Sequence, residues 1–138
     1  MNILIINGAN LNMLEYRSEI YGNISYENMC KEIYDFYSGI EIYHSNYEGD
    51  IIEKIHQSLD EFDAIIINPG AFTHYSYAIR DALELFGKPV IEVHLTNINE
   101  REDFRKISVI RDVCKQSYVG FGIEGYFKAI NYLNANNY

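Results

Sequence analysis

The chain has 138 residues, of which 48% are hydrophobic and 22% charged, with 9 Gly and only 2 Pro. This composition is typical of one compact domain and argues against a disordered or multidomain protein. The net charge of -9 makes the average surface repel phosphate backbones and anionic membranes, so we expect neither a nucleic-acid-binding nor a membrane-associated protein.

Short apolar runs rich in β-branched residues alternate along the chain with segments of helical periodicity. The predicted strands cover residues 3–6, 40–43, 64–67, 90–93 and, more weakly, 118–121. The predicted helices cover residues 26–37, 48–59, 75–86 and 122–133. Ser25 precedes the first of these helices as a capping residue, and Ser38-Gly39 ends it.

The order of these elements predicts the fold. The runs that begin at Ile3, Ala64 and Val90 are continuously apolar, as in strands that are buried on both faces of a parallel sheet. Strands and helices alternate with short connections, and only the polar tail at 134–138 stands apart. The sequence therefore predicts an α/β protein with a flavodoxin-like, doubly wound, five-stranded parallel sheet in a single domain, residues 1–138.

Open α/β sheets bind ligands outside the carboxyl ends of their strands. The stretches 7–12, 68–74 and 94–105, which follow the first, third and fourth predicted strands, contain no lysine, which excludes Schiff-base chemistry there. Arginines in an otherwise acidic protein suit a carboxylate, and neutral amides with a threonine hydroxyl suit a polyhydroxylated ring. A small sugar-like acid is therefore the predicted ligand of a site formed by Asn10, Asn68, His74, His94, Thr96, Arg101 and Arg105.

Other chemistries lack their motifs. The segment Gly120–Gly125 has the G-x-G-x-x-G spacing, but no strand follows it to complete a dinucleotide site, so tight turning and close helix packing explain it better. The sequence contains no P-loop, no G-x-S-x-G nucleophile elbow and no paired histidines of a metallohydrolase.

The cysteines and the first residues bear on the compartment. Cys30 and Cys114 are too few for a disulfide framework or a thiolate metal cluster, and we expect them to be buried free thiols. Residues 1–8 lack the basic segment of a secretory signal, and no apolar run approaches membrane-spanning length. We therefore expect a cytoplasmic protein.

Position alone leaves the functional residues open. His94 ends the fourth predicted strand, where it is either a general acid or a structural residue. His74 is either a helix cap or a ligand-binding residue. The connection over about residues 14–23 is longer than usual for a strand-to-helix link and predicts a lid. Within it, spacing does not distinguish Tyr21 from a packing tyrosine.

From about residue 1 to residue 133, the sequence contains a series of polar residues at characteristic spacings. They are Asn7-Gly8-Ala9-Asn10-Leu11-Asn12, Arg17 with Tyr21-Gly22, Ser45–Gly49, Asn68–His74, Arg80-Asp81-Ala82, and Glu92–Asn97 followed by Arg101–Arg105. In this joint pattern the sequence closely resembles the type II 3-dehydroquinate dehydratases. The flavodoxin-like fold of that family agrees with the fold predicted above.

The resemblance implies a reaction and the residues for it. The reaction is the reversible anti elimination of water from 3-dehydroquinate, giving 3-dehydroshikimate through an enolate without cofactor or metal, in aromatic amino-acid synthesis or quinate catabolism. Tyr21 would remove the C2 proton, Arg17 would hold that tyrosine ionised, His94 would protonate the departing C1 hydroxyl, and Asn10 would stabilise the enolate. A tyrosine of reference pKa about 10 is only about 0.1% ionised at pH 7, so such a base requires a nearby cation.

The resemblance also implies binding contacts and an assembly. Glu92 would orient His94, and Arg101 would belong to the lid and its activating charges. Asp81 would reach the site of a neighbouring subunit in a homododecamer built as a tetramer of trimers. The substrate-binding residues implied in this way are Asn68, His74, Asp81, Leu95, Thr96 and Arg105.

The sequence departs from the family's pattern at the lid. The segment Arg17–Tyr21 is one residue shorter than the usual R-E-P-E-I-Y, and Ala9 replaces the usual proline. An alternative interpretation is therefore a catalytically weak protein of the same fold that binds small anions. A flavodoxin-like cofactor-binding protein is a third interpretation, which bound flavin colour on purification would distinguish.

Overall fold

Five parallel strands form one sheet in the order β2-β1-β3-β4-β5 in the computed structural model, which describes residues 1–138. The strands are β1 (Ile3–Asn7), β2 (Ile40–His44), β3 (Ala64–Asn68), β4 (Val90–His94) and β5 (Gln116–Val119). The helices are α1 (Ser18–Tyr21), α2 (Tyr26–Phe36), α3 (Glu48–Gln57), α4 (Tyr77–Phe86) and α5 (Glu124–Ala135). This strand order confirms the predicted doubly wound, flavodoxin-like fold.

Two apolar cores cover the two faces of the sheet. Every residue of β1, β3 and β4 is buried, as their continuously apolar sequences predict. Ile3 and Ile5 belong to the core formed with α2 and α5, whereas Leu4 and Ile6 belong to the core formed with α3 and α4. Burying one such side chain stabilises the fold by about 1.5–3 kcal/mol, so the cores fix where the strands end.

Glycines allow the loops that follow β1 and β3 to touch. A Cβ atom on Gly8 would lie 2.2 Å from the carbonyl oxygen of Pro69, and one on Gly70 would lie 2.5 Å from the carbonyl oxygen of Ala9. No side chain fits at either distance, and Gly70 also has a φ of +63°. The two loops are thereby held together over one crevice.

The predicted fifth strand, 118–121, is wrong by two residues at each end. The strand covers Gln116–Val119 and ends there because Gly120 turns the chain with a φ of +88°. It pairs with β4 at the edge of the sheet, where polar residues such as Gln116 and Ser117 are tolerated. Because these two residues are polar, the search for apolar runs missed the start of the strand.

The helix boundaries also differ from the prediction. The helix predicted from residue 75 begins at Tyr77, because the Ser76 hydroxyl accepts a hydrogen bond from the backbone N–H of Ile79 and caps the helix. The helix predicted over 48–59 ends at Gln57, and the last helix runs from Glu124 to Ala135, which shortens the predicted polar tail. Ser25 caps α2 as predicted, by accepting from the N–H of Asn28.

The connection predicted as a lid is helical. Leu11–Arg17 forms 3-10 turns, α1 follows, and Gly22 ends it with a φ of +80°. Leu14 is fully buried in the core, whereas Tyr16 is 74% exposed. The segment is therefore anchored to the core on one side and open to solvent on the other.

Candidate active site

A crevice opens at the carboxyl ends of β1, β3 and β4, where the topology predicts it. Of the sequence-predicted site residues, all but Asp81 and Glu92 line it. Those that line it are Asn10, Arg17, Tyr21, Asn68, His74, His94, Leu95, Thr96, Arg101 and Arg105. Glu92 lies behind His94, and Asp81 is exposed on α4, outside this crevice.

His94 is held at the end of β4 by a carboxylate on the same strand. It is only 4% exposed, and its Nε2 lies 2.7 Å from Oε2 of Glu92, which is fully buried. The buried Glu92 carboxylate therefore lies directly against the His94 ring. Because Nε2 faces Glu92, Nδ1 is the ring nitrogen left for exchange with a ligand.

Five side chains donate to Glu92. Besides His94, the donors are Thr73 at 3.3 Å, Ser108 at 2.5 Å, Ser117 at 2.9 Å and Arg111 at 3.0 and 3.4 Å. Burial by itself would raise the pKa of Glu92, but the hydrogen bond and charge of His94, with Arg111 and Ser108, hold it well below its ordinary value. Glu92 is therefore an ionised carboxylate.

His74 does not cap the helix that follows it. Its Nδ1 lies 2.7 Å from the carbonyl oxygen of Ile107, and Ser76 caps the helix instead. Burial lowers the pKa of His74 against that hydrogen bond, and the positive charges of His94, Arg105 and Arg101 lower it further. A carbonyl only accepts, so Nδ1 carries the proton and the neutral ring offers Nε2 as an acceptor for a ligand hydroxyl.

Three guanidinium groups line the crevice, those of Arg17, Arg101 and Arg105. Arg17 lies with its Cζ 6.0 Å from the centre of the Tyr21 ring, so the lid that is one residue shorter still brings these two side chains together. Arg105 bonds through Nε to Glu102 at 2.5 Å and lies over the Phe104 ring. The arrangement is cationic within an acidic protein and suits an anionic ligand.

A hydrogen-bonded relay that the sequence did not predict holds Asn68. The Asn68 amide donates to the Tyr126 hydroxyl at 3.2 Å, and that hydroxyl donates to Oδ1 of Asn7 at 2.6 Å. Burial raises the pKa of Tyr126 well above its ordinary value, so the hydroxyl keeps its proton. In the sequence, only the position of Asn7 at the end of a strand pointed to these hydrogen bonds. The spacing of apolar residues does not distinguish Tyr126 from the other core residues of α5.

Some features lie outside the crevice. Cys30 and Cys114 are free thiols but are only half-buried, so the prediction that they are buried is wrong. The Cβ position of Gly125 lies 3.1 Å from Val93, which supports close helix packing as the reason for the G-x-G-x-x-G spacing. No group of three or more His, Cys, Asp or Glu side chains is arranged to hold a metal ion, and no helix has the length and apolarity to cross a membrane.

Comparisons with known proteins agree with this geometry. The family described as dehydroquinase class II matches residues 1–134. A relative from Thermotoga petrophila, named 3-dehydroquinate dehydratase, is 48% identical over 96% of this chain and 94% of its own length. One of the same name from Bacillus licheniformis is 45% identical over 99% and 98%.

Solved structures are equally similar. The crystal structure of type II dehydroquinase from Butyrivibrio crossotus superposes with a TM-score of 0.95 at 50% identity, covering 97% of each chain. That of the type II dehydroquinase from Propionibacterium acnes gives a TM-score of 0.93 at 34% identity, covering 97% of this chain and 96% of the other. With the family match and these identities over nearly the whole length, the chain belongs to the type II dehydroquinase family.

Proposed function

We propose that the crevice dehydrates 3-dehydroquinate to 3-dehydroshikimate by acid–base catalysis on an enolate. The single observation that carries this proposal is the placement in one crevice of Tyr21, with Arg17 beside it, and of His94, with Glu92 behind it. One pair supplies a tyrosine beside a guanidinium, and the other supplies an imidazole oriented by a carboxylate. The activity named for the relatives requires a base and an acid of this kind.

The proposed steps divide between the two pairs. Tyr21, with the Arg17 guanidinium beside its ring, takes the C2 proton, and the electrons of the broken C–H bond form the enolate of the neighbouring carbonyl. Asn10 stabilises the enolate oxygen. The enolate electrons then re-form the carbonyl and make the C1–C2 double bond as the C1–O bond breaks, and His94 delivers a proton to the departing hydroxyl, which leaves as water. Glu92 lies against the imidazole that gives up this proton.

The remaining polar groups bind the substrate. Arg105, whose outer nitrogens are not used by Glu102, holds the carboxylate, with Arg101 beside it on the lid side. His74 accepts a hydrogen bond from a ring hydroxyl of the substrate. The remaining contacts to the substrate come from Asn68, Leu95 and Thr96.

We also propose a homo-oligomer, a dodecamer built of trimers, in which Asp81 lies near a neighbouring subunit's crevice. Asp81 is exposed on α4 between Tyr77 and Leu85, which are 64% and 68% exposed. Large apolar side chains that are so exposed in one subunit are typical of a face that another subunit covers.

Both cysteines are free thiols, which suits the reducing cytoplasm, where we propose that the enzyme acts.

The test is turnover of 3-dehydroquinate, followed by the ultraviolet absorbance of the conjugated enone carboxylate, without added metal or reductant. We expect the wild type to be active and insensitive to borohydride, and His94→Gln to lose roughly a hundredfold or more in kcat. His56→Gln, which changes an exposed histidine on α3, is the control. A wild type that binds the substrate without converting it would instead support the anion-binding alternative, which the names of the relatives do not favour.

A further inference from the structure

Two cations share the carboxylate of Glu92. His94 approaches Oε2 at 2.7 Å, while Arg111 bonds through Nε to Oε1 at 3.0 Å and through Nη2 to Oε2 at 3.4 Å. Glu92 has no exposed surface, whereas the Arg111 side chain is 37% exposed and does not line the crevice. The carboxylate is therefore placed between the crevice and a cation that lies outside it.

Three hydroxyl groups also donate to Glu92, so the contacts to its two oxygens exceed the about four acceptor sites of a carboxylate. Here Ser117 donates to Oε1, and Ser108 and Thr73 donate to Oε2, in addition to the two cations. Each donor reduces the negative charge that Glu92 presents to His94. Among these donors, only Arg111 carries a positive charge and lies outside the crevice.

We propose that Arg111 is a positioning residue for the dehydration: it holds the Glu92 carboxylate against His94 and offsets part of its negative charge, so that His94 releases its proton more readily to the leaving hydroxyl. The inference rests on the proposed role of His94 as the acid. A buried carboxylate shared with no other cation would hold the imidazolium strongly, because an opposite charge in contact favours the charged form. A proton held that strongly makes a weak acid.

Other ionisable or charged groups also face this pair, and none of them is altered in the test. The Cys114 thiol lies near Glu92, and its pKa is raised to about 12, first by burial and then by the Glu92 charge, so it stays neutral. The ionisable or charged groups that line the crevice together with His94 are Arg17, Tyr21, His74, Arg101 and Arg105.

The test compares Arg111→Gln, which removes the charge, with Arg111→Lys, which keeps it. Lys115→Gln is the matched control, since it removes one positive charge from an exposed residue of the same connection that does not bond to Glu92. Nuclear magnetic resonance of histidine-labelled protein follows the pH midpoint of the His94 ring, assigned as the signal missing from His94→Gln. Turnover and KM are measured alongside.

In Arg111→Gln we expect the His94 midpoint to rise by about one pH unit, with a fall of about threefold in kcat and little change in KM. Arg111→Lys should keep the His94 midpoint and kcat close to their wild-type values, and Lys115→Gln should change neither quantity. An unchanged midpoint in Arg111→Gln, or an equal rise in Lys115→Gln, would overturn the inference. A lower melting temperature without movement of the midpoint would also overturn it, because it would assign Arg111 a purely structural role.

The outcome separates this inference from the role of His94. If His94→Gln keeps wild-type turnover, His94 is not the acid, and the proposed function of that residue fails together with the inference. If His94→Gln is inactive while the His94 midpoint is unchanged in Arg111→Gln, the role of His94 as the acid is supported and only the inference about Arg111 fails.

Discussion

The two sides of the crevice are built differently. On the strand side, His94 and Asn68 are 4% and 3% exposed and stand at the ends of β4 and β3, each bonded to a buried partner. On the lid side, Arg17 and Tyr21 are half-buried on a short helical connection, and the contact recorded between them is a guanidinium 6.0 Å from a ring centre.

The difference indicates a division of labour. The proposed acid is fixed in advance by the sheet and by a hydrogen-bond network, so its geometry costs nothing to establish during the reaction. The proposed base depends on a segment held to the core through few side chains, which is the kind of element that closes over a substrate. Substitutions on the strand side should therefore lower stability and activity together, and those on the lid side mainly activity.

The largest effect on the strand side is expected from Glu92→Gln. The substitution leaves Arg111 and His94 without their buried counter-charge, which we expect to cost about 3 kcal/mol of the free energy of unfolding and roughly a hundredfold in kcat. Urea unfolding and steady-state kinetics measure the two. Glu41→Gln, which breaks only a surface ion pair with Lys54, is the control and should change stability by less than about 1 kcal/mol. Equal effects from both would remove the distinction between the two sides.

The pH dependence of stability sharpens the same point. The pKa of Glu92 is lowered in the folded protein, so its stabilising contribution is fully present above the unfolded-state value, near 4.5, and is lost as the pH falls toward the folded value. We expect the free energy of unfolding of the wild type to decrease below about pH 4.5, and Glu92→Gln to decrease less steeply over the same range. Parallel curves would contradict this account of the carboxylate.

An intermediate effect is expected at the end of the lid. Gly22 has a φ of +80° with open space around its Cβ position, so Gly22→Ala introduces backbone strain of about 1–3 kcal/mol without a steric clash. We expect kcat to fall about tenfold as Tyr21 shifts. Gly49→Ala is the matched control, because Gly49 is equally open but lies in α3, where alanine is favoured. Gly22→Ala with unaltered kcat would show that the lid tolerates displacement.

The smallest effect is expected from Tyr126→Phe. The substitution removes the hydroxyl between Asn68 and Asn7 and leaves their amides with one partner fewer, at a cost of about 1–3 kcal/mol in stability. We expect KM to rise about threefold while kcat changes little, because Asn68 binds rather than reacts. Tyr47→Phe, at a tyrosine that is 72% exposed, is the control. A larger effect on kcat than on KM would assign the relay to the chemical step.

The sequence predicted the crevice because two independent regularities coincide there. Parallel strands end at one edge, so the loops after β1, β3 and β4 had to meet, and the resemblance assigned roles to residues in those loops. The network behind the crevice was harder to predict. Arg111 and Ser108 come from a connection without periodicity, Ser117 starts an edge strand, and Tyr126 occupies an ordinary core position of α5.

The most direct test of the central claim, that the base is on the lid and the acid is on the strand side, is a comparison of Tyr21→Phe with Tyr16→Phe. Both remove one hydroxyl from the same connection, but Tyr16 is 74% exposed and outside the crevice. Turnover is followed by product absorbance and substrate affinity by calorimetry. We predict that Tyr21→Phe loses a thousandfold or more in kcat, at about the upper range for a general base, while it still binds 3-dehydroquinate, and that Tyr16→Phe resembles the wild type. Near-normal turnover by Tyr21→Phe, or equal losses in both variants, would contradict the account.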